Sequence, residues 1–186
     1  MLLLLLSGGA FARAWDEVEV RSHPATFLSG LAAGILAHET GHLAVAAVED
    51  IDVKWHNLSI TYLGPLTDAE HLRVATAGIE TQWIISEYVL HRAEKKQQPP
   101  GAFKTGLVVS ELAVAAAYLT VLKDHEEGDL VGISNATGLS TDQLALLVAI
   151  PAALDAWRLF GQEVPAWVPN VSLGYKGAGI AATWTF

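Results

Sequence analysis

The chain contains no cysteine. Disulfides, thiolate metal sites and a cysteine nucleophile are therefore excluded, and any bound metal must be held by histidine and carboxylate. Positive charge is scarce too: 11 Lys and Arg stand against 20 Asp and Glu, a formal net charge of −9. That balance argues against a nucleic-acid partner, because phosphate binding needs a basic face. Charged residues of both signs make up only 17% of the chain against 52% apolar, and mean hydropathy is +0.35. This composition points to a membrane protein or an unusually apolar helical one. At 186 residues, one domain with a real core is expected.

What is present is mostly long apolar segments. They run from about Ala25 to Val48, Leu72 to Arg92, Phe103 to Leu122 and Asp142 to Phe160. Each approaches the ~20 residues that cross a bilayer. Each also carries acids, namely Glu39, then Glu80 and Glu87, then Glu111, then Asp155. An ionisable group at membrane depth is costly and by default marks a function. The expected fold is mainly α, with about four hydrophobic helices embedded in a membrane. A small β segment follows the first helix in DVKWHNLSITYLG, and a strand-like tail closes the chain. The competing reading is a soluble bundle of four core helices.

Residues 1–14 join the apolar run Leu2–Leu6 to a small-x-small site, Ala12-Arg13-Ala14, the form of a signal peptide or a short anchor. Residues 15–166 form the helical body, and residues 167–186, Gly-rich and ending in Phe186, form the tail. Arg92, Lys95, Lys96 and Lys104 cluster in the second connection, which places it in the cytoplasm of a multi-pass inner-membrane protein. An exported, periplasmic protein is the alternative. Residues 123–138, KDHEEGDLVGISNATG, form an acidic loop.

The stretch AGILAHETGHLAVAA carries the chemistry. On a helix, His38 and His42 lie one turn apart on one face and can aim both imidazoles at one ion. Glu39 adjoins the first ligand, where its carboxylate can take a proton from a metal-activated water. This is the His-Glu-x-x-His arrangement of zinc hydrolases, in which zinc lowers the pKa of its water to about 7. A chance match in a chain of this composition arises on the order of 1 time in 100. A catalytic zinc needs a third protein ligand. Asp155 is the leading candidate, because an aspartate in LLVAIPAALDAW needs a cation to offset its burial, and Pro151 can bend its helix. Pairing of Asp155 with Arg158 at i+3 is the competing account, and Glu80 is the alternative third ligand.

HETGHLAVAAVEDIDV resembles the first catalytic helix of the site-2 protease family, intramembrane zinc proteases with a His-Glu-x-Gly-His pattern followed by a β segment. AIPAALDAWRLFG resembles that family's Leu-Asp-Gly stretch, with Ala156 in place of Gly, and this resemblance implies that Asp155 is the third ligand. ATAGIETQW is similar to its Ala-Gly-Pro-x-x-Asn segment, with Ile79 and Gln82 departing from it. That likeness implies that Gln82 binds or polarises substrate. The resemblance covers three short stretches. It implies zinc-dependent hydrolysis of a peptide or membrane-protein substrate, in or at a lipid membrane, with Glu39 as general base. Two further readings stay open: a soluble exported zincin that uses Glu80, and a non-catalytic metal-binding envelope protein.

Overall fold

A computed structural model describes residues 16–56, 59–161, 170–173 and 180–183. In chain order the elements are α1 (Glu17–Ser22), α2 (Pro24–Val48), β1 (Val53–His56), β2 (Ser59–Tyr62), α3 (Asp68–Lys96), α4 (Ala102–Thr120), α5 (Asp129–Thr137), α6 (Thr141–Phe160), β3 (Asn170–Leu173) and β4 (Ile180–Thr183). The expected signal peptide or anchor at residues 1–14 lies outside the described residues.

Local chemistry sets the helix ends. Pro24 opens α2, where its missing N–H falls among donors that have no helical partner anyway. Capping boxes open α3 (Thr67 with Glu70) and α6 (Ser140 with Gln143). Gly138, at φ 74, closes α5 in the left-handed conformation that glycine adopts without strain. β1 and β2 pair antiparallel with Val53 opposite Tyr62, and β3 pairs antiparallel with β4.

The fold is mainly helical, as expected, with two corrections. First, among the described residues three helices, and not the four expected, are long and apolar enough to cross a membrane: α2, α4 and α6. The second apolar segment became α3, which extends into charged turns at both ends, from Asp68, Glu70 and Arg73 to Lys95 and Lys96. Second, the stretch read as an acidic loop contains α5. Its Leu130 and Ile133 are buried one turn apart, in a core cluster with Ala75, Tyr118 and Leu144.

α2 packs on α4 and α3, α4 also packs on α6, and α3 also packs on α5. α2 and α4 come very close. A Cβ on Gly30 would sit 2.0 Å from the Phe103 carbonyl oxygen, and one on Gly106 would sit 2.2 Å from that of Phe27. Small residues of this kind let apolar helices meet backbone to backbone. On the outside, Leu28, Leu36, Leu119, Leu146, Leu147 and Ile150 are exposed.

Candidate metal centre

His38 and His42 lie on the inner face of α2, only 6% and 3% exposed. Their Nδ1 atoms are committed to acceptors. His42 Nδ1 is 2.7 Å from the Val74 carbonyl oxygen, which only accepts, so this nitrogen carries the proton. His38 Nδ1 is 3.0 Å from Gln82 Oε1. The Gln82 amide is oriented by its own donations to Gly34 O at 3.3 Å and Ser110 Oγ at 3.4 Å. Each neutral ring therefore presents a bare Nε2 lone pair on the opposite side.

Those two Nε2 atoms lie 3.1 Å apart. Asp129, the first residue of α5, completes the group. Its Oδ2 is 2.9 Å from His38 Nε2 and its Oδ1 is 3.3 Å from His42 Nε2. Two lone pairs and a carboxylate facing one point repel one another unless protons or a cation lie between them. With metal–ligand lengths of about 2.0–2.2 Å, tetrahedral zinc ligands sit roughly 3.3 Å apart, so these spacings suit such an ion. His38, His42 and Asp129 are the one group of three potential metal ligands among the described residues.

Several neighbours shape the group. Burial alone would raise the Asp129 pKa, but when the rings carry protons at Nε2 in place of a metal, their hydrogen bonds and charge hold it well below the usual carboxylate range. The start of α5 also favours an anion there. The Tyr118 hydroxyl donates to Asp129 Oδ2, and it lies 3.5 Å from His38 Nε2. α3 passes directly over the imidazoles at Gly78, where a Cβ would come within 2.3 Å of His42 Nε2 and 2.6 Å of His38 Nε2. Gly41, the glycine of the His-Glu-x-Gly-His stretch, has a similar cause: a Cβ there would meet the Ala77 carbonyl oxygen at 2.5 Å.

The group opens onto a cavity of about 680 Å³. Glu39 lines this cavity beside both histidines, as do Tyr62 of β2, Tyr118 of α4 and His71 of α3. Burial pushes the Tyr62 phenol up, helped by the nearby Asp129 and Glu39 carboxylates, so it stays a neutral hydrogen-bond donor. His125, Glu126 and Glu127 reach the cavity from the segment before α5.

The residues named from sequence fall into three places. His38, Glu39 and His42 come together on the cavity. Asp155 does not join them. Its Oδ1 pairs with Arg158 Nη1 at 2.9 Å, and α6 packs on α4, α3 and α5 rather than on α2. Asp129 stands where Asp155 was expected, because α5 docks on α3 beside the histidines. Glu80 is exposed on α3 and is absent from the His38–His42 group. Gln82, implied at the substrate, is 3% exposed and sits behind His38 as its hydrogen-bond acceptor. The signal for Asp129 was present in DLVGISNATG, a short helical pattern closed by glycine and opened by an acid. No family model, curated protein or solved structure matches the chain.

Proposed function

We propose that this chain is a membrane-embedded zinc peptidase resembling the site-2 protease family, with His38, His42 and Asp129 holding the metal. One observation carries the reading: both bare Nε2 atoms and the Asp129 carboxylate converge within 3.3 Å of one another, beside Glu39 on a cavity. The tautomers support it as well, since protein acceptors behind both rings are the usual outer shell of histidine ligands.

Zinc held by His38, His42 and Asp129 would supply a Lewis acid, able to bring the pKa of water to about 7 and to polarise a carbonyl. The chain supplies the rest. Glu39 takes the proton of the attacking water and returns it to the leaving amine. Gln82 and the Val74 carbonyl fix the two imidazoles. The Tyr118 hydroxyl steadies Asp129. The cavity, about 680 Å³, matches the roughly 300–1,000 Å³ of small-ligand sites and suits a short extended segment of a peptide. The apolar exteriors of α2, α4 and α6 fit a surround of lipid, and His38 lies near the middle of α2.

Glu39→Gln tests the reading. The variant should keep its zinc while hydrolysis of a peptide substrate falls about 10²–10⁴-fold, the worth of a general base. Unchanged hydrolysis in the zinc-loaded variant would remove Glu39 from the chemistry.

A further inference from the structure

A second polar cluster lies away from the histidines, where α3, α4 and α6 meet. Ser86, Glu111 and Asp155 are 0%, 7% and 1% exposed. In each, one buried oxygen has no hydrogen-bond partner: Ser86 Oγ, Glu111 Oε2 and Asp155 Oδ2. Glu111 faces both Ser86 and Asp155. Among the described residues the guanidinium bonded here is that of Arg158, which is already engaged by Asp155 Oδ1 at 2.9 Å, Glu87 Oε1 at 2.8 Å and Glu94 Oε1 at 3.0 Å. Three carboxylates thus share one arginine, and Glu111 lies beside them with no ion pair of its own.

Beside the cluster, Glu111 also borders a small cavity of about 50 Å³ that Glu80 and Gln82 share with mainly apolar side chains, and that Ser86 and Asp155 do not line. That is room for one or two waters. Oxygen acceptors therefore outnumber donors here, and leaving buried acceptors unmatched is costly.

We propose that Ser86, Glu111 and Asp155 form a second cation site, which takes a small hard cation of the Na⁺ or Ca²⁺ class. The donor set is oxygen only, which suits hard cations and separates this site from the nitrogen-rich one at His38 and His42. A cation supplies the charge that Arg158 cannot. It also ties α3, α4 and α6 together, so its binding is read as stability. The proposal does not depend on the peptidase reading.

The test uses the full chain in detergent, with zinc held constant, and compares thermal midpoints in choline, sodium, magnesium and calcium chlorides at equal ionic strength. One of the small cations should raise Tm in a saturable way, by about 5–10 °C at a hundredfold excess over Kd. The rise should be lost in Glu111→Gln and reduced in Ser86→Ala, which leaves every charge in place. Calorimetric titration of the wild-type chain with the active cation covers the case in which Glu111→Gln fails to fold. Equal Tm in all four salts, or a rise that survives in Ser86→Ala and Glu111→Gln, would overturn the proposal. So would an infrared protonated-carboxyl band that persists at saturating cation and vanishes in Glu111→Gln, because the pair would then hold a proton instead.

Discussion

His38 Nε2 and His42 Nε2 face each other at 3.1 Å, and neither neutral ring has a proton there to offer the other. Their Nδ1 protons point away, to Gln82 Oε1 and to the Val74 carbonyl. The arrangement needs a positive species between the rings, and Asp129 supplies the third side. The functional account rests on that relationship.

Gln82 is then a positioning residue. Gln82→Leu removes the acceptor behind His38 and should weaken zinc binding about 10–100-fold, the usual effect of losing an outer-shell partner. At saturating zinc the KM for a peptide substrate should stay at the wild-type value. A Gln82→Leu chain with normal zinc affinity and a raised KM would return Gln82 to the substrate side.

Gly78→Ala should disturb the centre from above. Its Cβ would lie 2.3 Å from His42 Nε2, so α3 or the rings must shift. Overpacking of this kind costs about 1–3 kcal/mol, and zinc affinity should fall with it. Gly101→Ala is the control, since a Cβ there meets nothing nearer than 3.9 Å. Matching melting and zinc-binding curves for the two variants would contradict the close passage of α3.

The parts of this architecture legible in sequence were the local ones. An i, i+4 histidine pair needs only helix periodicity, and the Pro24, Thr67 and Ser140 starts are local chemistry. Which acid stands beside the histidines is set by tertiary packing. An acid such as Asp155 in an apolar run needs a positive partner, and it has one. The partner is Arg158, three residues on, rather than an ion shared with His38. Asp129 is hard to see in sequence because nine helical residues in an acidic stretch resemble a loop, and only their docking on α3 brings it beside the histidines. Gln82 shows the same limit from another side. A sequence cannot tell whether its amide faces a substrate or the back of a histidine, and here it faces His38.

Among the described residues α2, α4 and α6 are long and apolar enough to cross a membrane, and many of their apolar residues face outward, which supports the proposed membrane residence. The chain should remain in the membrane fraction after an alkaline carbonate wash. Full release into the supernatant would instead favour an exported soluble protein.

The most direct measurement is zinc per chain, by elemental analysis of purified wild type beside Asp129→Asn and Asp155→Asn. A neutral amide is a poor ligand for a dication, so a true ligand aspartate should not survive the change. The account predicts one zinc in wild type, one in Asp155→Asn, and loss of most of it in Asp129→Asn. Zinc retained in Asp129→Asn and lost in Asp155→Asn, or near-zero zinc in all three chains, would contradict it.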